Sequence, residues 1–297
     1  MEKGRRVEIE RLLAYVMMVG YKLVVVVKVE EGERGLYDEV YDHGFLSESL
    51  KDEVSLEDRW DPENFFSAQS MLEVSEIVLE SGGLPRNAED SFGYQQCIYD
   101  VICRGTDRLL REIRPSEMVL YPPLNGGESI AAMMWSNLRE RGYRNFGAEQ
   151  IAHFELKRIH MEVGRFLVGA RYHYMPENNG RVTVIADDCM ATDASVTSIL
   201  EKLGRPGEVK VLVATASQRS AETVLDRYGI PVIAGSYVYK VAANGYLMRT
   251  EQEGFPSGSY YVSDMGRWLK ELPGEFDDEA PWNRMRKQLR EEWAALE

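Results

Sequence analysis

The sequence is short of the features that mark several large classes of protein. Only three cysteines occur in 297 residues, Cys97, Cys103 and Cys189, an odd number with no Cys-x-x-Cys pair. Neither a disulfide framework nor a zinc ribbon is indicated, and reduced, buried thiols are expected. With 11 prolines and 25 glycines against 44% hydrophobic residues, the chain is not collagen-like, low-complexity or wholly disordered. Long apolar runs are missing too: the stretch 15–27 is interrupted by Gly20 and Lys22 and falls short of the roughly 20 residues that a bilayer span needs. Residues 1–10 lack the layout of a secretory signal, so a cytoplasmic location is expected. Positive charge is scarce: 35 basic against 49 acidic residues give a net charge of −14, a field that repels nucleic-acid backbones and anionic membranes. No partner of either kind is expected.

What is present is an alternation of elements. Val7, Ile9, Leu12, Leu13 and Val16 predict an amphipathic helix over residues 5–18, followed by a buried strand over 21–29. These two elements either add an edge to the sheet or build a dimer interface. Residues 30–64 turn acidic and poor in aliphatics, although aromatic residues such as Tyr37, Tyr41 and Trp60 recur, and read as an irregular, partly ordered connection. A helix over 67–79 is closed by Ser81-Gly-Gly-Leu-Pro85. Then come a helix over 94–112, a strand over 118–121, a Pro-Pro-Leu-Asn-Gly-Gly turn and a helix over 129–141. After them follow a strand over 181–186, a loop to about Ser195, a helix over 196–203, a strand over 209–215, a helix over 220–227 and a strand over 232–234. Such alternation predicts a parallel α/β sheet with helices on both faces. Three segments result: an N-terminal extension, 1–92; a core, 93–272; and a tail, 273–297, in which Trp282, Met285, Leu289 and Trp293 predict a packing helix.

The stretch after the strand at 181–186 is the most informative. Two adjacent carboxylates, Asp187 and Asp188, precede the small and hydroxylated residues Ala191, Thr192, Asp193, Ala194, Ser195 and Thr197, which lead into a helix. Open α/β sheets bind ligands at the carboxyl ends of their strands, and a helix N-terminus offers backbone N–H groups to an anion. A polar ligand with a sugar and an anionic group fits this pattern. Asp187 and Asp188 would hold ribose hydroxyls directly or through the water shell of a magnesium ion. The plainer alternative is that these residues only cap a helix.

Val184-Ile-Ala-Asp-Asp-Cys-Met-Ala-Thr-Asp-Ala-Ser195 resembles the phosphoribosyl-pyrophosphate (PRPP) signature of the type I phosphoribosyltransferases, most closely that of uracil phosphoribosyltransferase. Val119-Leu-Tyr-Pro-Pro-Leu-Asn-Gly-Gly127 is similar to the family's strand and diphosphate loop. Arg171-Tyr-His-Tyr-Met-Pro-Glu177 is similar to the segment after its mobile flap. Asn244-Gly-Tyr-Leu247 and Ser263-Asp-Met-Gly266 are similar to its base-binding end. The resemblance runs in the family's order over residues 94–272. It implies a type I phosphoribosyltransferase-like sheet carrying an N-terminal α/β extension, transfer of phosphoribose from PRPP to a nucleobase-like acceptor, Mg²⁺ as cofactor, and a homodimer. It further implies roles for Asp187, Asp188 and Asp264 at the ribose and metal, for Gly126 and Gly127 at the diphosphate, for residues 191–195 at the 5′-phosphate, and for Tyr246 at the base.

The sequence departs from the family's pattern where charge matters most. Asn125 stands where the diphosphate loop carries an arginine, and Asp193 where the phosphate cradle carries a glycine. A carboxylate there is expected either to repel a 5′-phosphate or to cap the helix and take the anion's seat. Arg249 and an insertion after it alter the base-binding end. Lys157, Arg158, His160 and Arg165, in the flap region, would reach a diphosphate, or else form a solvated basic loop. His173 suits an alternating strand, and His43 and His153 have no spacing for a metal or triad. Three functions stay open: a PRPP-dependent transferase, an enzyme for a ribosyl or nucleoside-like ligand without a 5′-phosphate, and a non-catalytic nucleotide-binding or regulatory protein. If residue 125 faces a diphosphate, Asn125→Arg should tighten magnesium-diphosphate binding several-fold in titration calorimetry, and unchanged affinity would remove residue 125 from that loop.

Overall fold

The structure is a computed structural model that describes residues 14–19, 22–27, 38–45, 88–123, 126–162, 165–204, 206–238, 240–241, 247–249, 260–261 and 280–296. Strands β1 (Ala14–Val19) and β2 (Lys22–Val27) form an antiparallel hairpin. The helix expected over 5–18 is therefore strand where it is described. Val24 to Val27 are β-branched and pair with 14–17, so cross-strand pairing prevails over the helical period. A third strand, β3 (Glu39–Phe45), lies within the segment expected to be irregular. The helix expected over 67–79 lies outside the described residues.

Helix α1 (Ala88–Leu110) begins ahead of the expected start at 94. Strand β4 (Met118–Tyr121) matches its expected span, and α2 (Gly127–Glu140) follows it. Two long strands, β5 (His153–Glu162) and β6 (Arg165–Tyr174), pair antiparallel, so the basic flap region is a β-hairpin rather than a loop. Then come β7 (Val182–Met190), α3 (Ala194–Leu203), β8 (Val209–Ser217), α4 (Gln218–Tyr228) and β9 (Val232–Val238). Short strands β10 (Lys240–Val241), β11 (Leu247–Arg249) and β12 (Tyr260–Tyr261) form a small antiparallel sheet, and α5 (Pro281–Leu296) ends the described chain.

Strands β4, β7, β8 and β9 form a parallel sheet in that order. On the far side of β4, Ile151 makes a parallel bridge to Leu120, and the Ala152 N–H donates to the Leu120 carbonyl at 2.8 Å. The chain therefore leaves β4 in one direction through α2, returns through the hairpin, and grows in the other direction from β7. Side-chain parity splits the core accordingly. Met118, Leu120, Val184, Ala186, Leu212 and Ala214 pack under α1, α2 and α5. Val119, Tyr121, Ile185, Val211 and Val213 pack under α3, α4 and the hairpin's Phe154, Leu156, Val168 and Ala170. Helices thus cover both faces of the sheet, as the alternation predicts.

Among the described residues of the N-terminal segment, β3 pairs with the hairpin. β3 pairs antiparallel with β6, giving the order β3-β6-β5. Glu39 accepts hydrogen bonds from Lys202 of α3 at 2.8 Å and from the Tyr172 hydroxyl at 3.3 Å, and the Lys202 ammonium lies 4.2 Å from the Tyr172 ring centroid. One acidic residue of the extension so ties the hairpin to the helix behind the 191–193 loop.

The three cysteines form no disulfide and are half-buried rather than buried as expected; burial pushes the Cys103 thiol up to about 11, which leaves it protonated at neutral pH. At the C-terminus, α5 packs into the core shared with α1 and α2 through Trp282, Leu289 and Trp293. The Trp293 indole N–H donates to the Ile151 carbonyl at 2.9 Å, and its ring stacks on His153 at 4.3 Å, which in turn stacks on His173 at 4.6 Å. Trp293→Ala should cost roughly 3–5 kcal/mol by the usual cost of truncating a buried tryptophan. Denaturant unfolding checks it: an unchanged midpoint would show that α5 is no part of the core.

Candidate functional site

A parallel sheet whose growth reverses leaves a crevice at the carboxyl ends of the two strands flanking the reversal. Here these strands are β4 and β7. β7 outruns β4: the last β4 pair is Tyr121 with Ile185, whereas β7 continues beside β8 to Met190 and Ala216. Asp187 and Asp188 are therefore strand residues, not the start of a loop as the sequence implies. Their pairing with the buried β8 holds them extended.

Adjacent strand residues point to opposite faces. Asp188 continues the row of Val184 and Ala186 toward α2, and Asp187 that of Ile185 toward α3. Asp188 is 7% exposed, its N–H donates to Asp187 Oδ1 at 2.9 Å, and Asp187 is half-buried. Gly126, the residue before α2, lies so close to the Asp188 carboxylate that a Cβ there would collide with it. At Gly127 a Cβ would come within 2.7 Å of the Pro122 carbonyl carbon. These two glycines bring the backbone and the positive end of α2 directly onto Asp188.

The second wall is the turn 191–193. The Ala191 carbonyl accepts hydrogen bonds from the Ser217 and Ser220 hydroxyls at 2.9 and 2.8 Å. Thr192 is 8% exposed, and its hydroxyl has no hydrogen-bond partner among the described residues. Asp193 stands at the N-cap of α3, but its side chain makes no capping bond, contrary to the expectation that it takes the anion's seat. Its Oδ2 instead accepts hydrogen bonds from the Thr197 hydroxyl at 3.2 Å and from Arg227 at 3.3 Å. Ala194 and Ser195 open α3, and their small side chains leave its first turn approachable.

Other expected residues lie elsewhere. Lys157 is exposed on β5 opposite Gly169, on the side away from the packed Phe154 and Leu156, and Arg158 is placed by its backbone opposite Val168. Asn125, Tyr246 and Asp264 lie outside the described residues. Glu128, in the first turn of α2, went unread in the sequence: it is buried and accepts both Nε and Nη2 of Arg290 on α5, the latter at 3.1 Å. Arg227 was also unread, and nothing local links it to Asp193. The Ser217 and Ser220 pair does carry a local signal, since Ser217 caps α4 by accepting from the Ser220 N–H at 3.1 Å. Tyr121, at the end of β4, donates to the Pro176 carbonyl at 3.4 Å, and burial pushes its phenol up to about 12.

No protein-family model and no curated protein matches the sequence. Solved structures do align with the fold. The AQ2163 protein from Aquifex aeolicus aligns with a TM-score of 0.47 at 14% identity, over 69% of this chain and 96% of that one. A purine phosphoribosyltransferase from Pyrococcus horikoshii aligns with a TM-score of 0.34 at 14% identity, over 48% and 81%. An orotate phosphoribosyltransferase from Francisella tularensis aligns with a TM-score of 0.35 at 13% identity, over 55% and 84%. The α/β assignment rests on the strand order and the two covered faces, not on these overlaps.

Because its Cβ would meet the carboxylate, Gly126→Ala should displace Asp188 while leaving the buried core intact. The expected result is at least a tenfold loss of ligand affinity with little change in melting temperature; retained affinity would mean that Asp188 faces no ligand.

Proposed function

We propose that the chain is a phosphoribosyltransferase-type enzyme that moves a 5-phosphoribosyl group from PRPP to a uracil-like base or related acceptor, releasing diphosphate. The supporting observation is the placement of Asp187 and Asp188 at the reversal of the sheet, between two glycines that open α2 and a turn that opens α3. The catalytic core would be residues 93–272, with 1–92 as an extension buttressing the hairpin.

In such a transfer the C1–O bond to diphosphate breaks and diphosphate leaves with the bonding pair. The acceptor's ring nitrogen supplies the pair for the new C1–N bond and gives its proton to solvent. Positive charge grows at C1, and fixed negative groups below the sugar stabilise it without reorganising. In this assignment Asp187, the less buried carboxylate, accepts hydrogen bonds from the ribose diol, and Asp188 is held beneath by the α2 N-terminus. The Gly126 and Gly127 backbone receives the diphosphate, and Thr192 and the first turn of α3 receive the 5′-phosphate. Lys157 and Arg158, consecutive on β5, are assigned to the diphosphate by resemblance alone. Asn125, Tyr246 and Asp264 are assigned to the diphosphate, the base and the ribose by resemblance alone.

Magnesium suits this donor set. Among the described residues no group of three or more ligating side chains gathers, and magnesium binds through one or two carboxylates plus substrate phosphates while keeping several waters. Asp187 and Asp188 would hold it, and it would neutralise charge on the departing diphosphate. Asp193 is the residue that favours a ligand without a 5′-phosphate; its bond to Arg227 offsets that charge, so the transferase is preferred.

The test is a thermal-shift series with Mg²⁺ and PRPP, beside ribose 5-phosphate, uridine, UMP and diphosphate, on wild type and Asp187→Asn. A ligand that binds only the folded state must raise the transition. PRPP should raise it in wild type, and the substitution should abolish that rise and lower turnover about a hundredfold or more while the ligand-free transition stays put. A response to uridine but not to PRPP would overturn the transferase in favour of a nucleoside-like ligand. Silence with every ligand would favour a non-catalytic role.

A further inference from the structure

Helix α4 grips the 191–193 turn from both of its ends. At its start, Ser217 and Ser220 hold the Ala191 carbonyl. In its last turn, Arg227 holds the Asp193 carboxylate at 3.3 Å, with side chains 37% and 24% exposed. Helical side chains lean toward the N-terminus, so an arginine there reaches back over the turn. The Thr197 hydroxyl donates to the same oxygen of Asp193 and accepts from the Tyr228 hydroxyl at 3.4 Å, which holds the carboxylate beside α3. Between the two grips sits Thr192, more than nine-tenths buried, with a hydroxyl that has no partner among the described residues.

We infer that Arg227 is a specificity-determining residue of this site: by neutralising Asp193 and drawing it aside, it allows the turn before α3 to accept a phosphate monoester. The inference rests on the phosphate-loop assignment made above and deepens it. The charges make the case. A lone carboxylate at the N-cap repels an incoming phosphate across a few ångströms, at a cost that rises as the crevice dries. Paired with a guanidinium it contributes a net charge near zero, so the partial positive charge of the α3 N-terminus again dominates. Asp193 and Arg227 together then act as an uncharged residue would. Neither residue touches the sugar carbon in this assignment, so the pair governs which ligand enters and not the bond that breaks.

A double-substitution cycle on the full-length protein tests this, with ribose 5-phosphate and ribose as probes in titration calorimetry. The two probes differ only in the phosphate, so a general loosening of the site lowers both affinities and leaves their ratio unchanged. Arg227→Ala should lower the preference for ribose 5-phosphate about tenfold by exposing Asp193. Arg227→Gln, which keeps length and hydrogen bonding but not charge, should do the same and guards against a folding defect of the alanine variant. Removing both charges, with Asp193→Gly added to Arg227→Ala, should restore the preference to within about threefold of wild type. An unchanged preference in both Arg227 variants, or a loss that the added Asp193→Gly does not repair, would overturn the inference while leaving the phosphate-loop assignment standing. If neither wild type nor Asp193→Gly prefers ribose 5-phosphate to ribose, the assignment itself falls, and this inference with it.

Discussion

The handedness of strand–helix–strand crossovers is the constraint on which the rest depends. A right-handed connection in one direction puts its helix on one face of the sheet, and in the other direction on the opposite face. The chain leaves β4 through α2 toward Ile151 and later leaves β7 through α3 toward β8, so α2 and α3 lie on opposite faces and cannot fill the space between the ends of β4 and β7. Both helices nevertheless begin at that edge of the sheet. Two helix N-termini and the overhanging end of β7 thus surround one gap, and Asp187 and Asp188 stand on the overhang.

Around this gap, charge is balanced locally. A chain with a net charge of −14 disfavours anions at long range, so an anion site needs its own supply of positive potential. The α2 and α3 N-termini provide it, and the acidic side chains that would cancel it are paired: Glu128 with Arg290, Asp193 with Arg227. Each cation comes from a different helix, α5 and α4, packed on opposite faces. Asp187 and Asp188 stand on the overhang between the two N-termini, where, in the transfer proposed above, positive charge would develop on the sugar carbon.

Much of the core was legible because its signals are local. β4 is buried at all four positions and ends at a Pro-Pro turn, which fixes its span; β8 and β9 begin where their apolar runs begin. The failures share a cause. Residues 14–19 carry a helical period, but pairing with 22–27 supplies a partner that no window of that segment contains. Glu39–Phe45 looks too acidic for a strand until β6 and Lys202 are set beside it. β7 was cut short at residue 186 because aspartates are poor strand formers, yet β8 pairs with it as far as Met190.

The sequence by itself determined the parallel α/β class, the carboxylate pair near a strand's end and the small residues opening the next helix, because strand and helix periods and turn residues act over a few positions. Only the tertiary structure decided that Gly126 abuts Asp188, that β5 and β6 form a hairpin buttressed by β3, and that Asp193 faces a guanidinium rather than the helix N-terminus. Arg227 lies 34 residues from Asp193 and Arg290 lies 162 from Glu128. Pairing of charges at such separations depends on which strands neighbour one another, and strand order follows from the packing of the whole chain, not from any stretch of it.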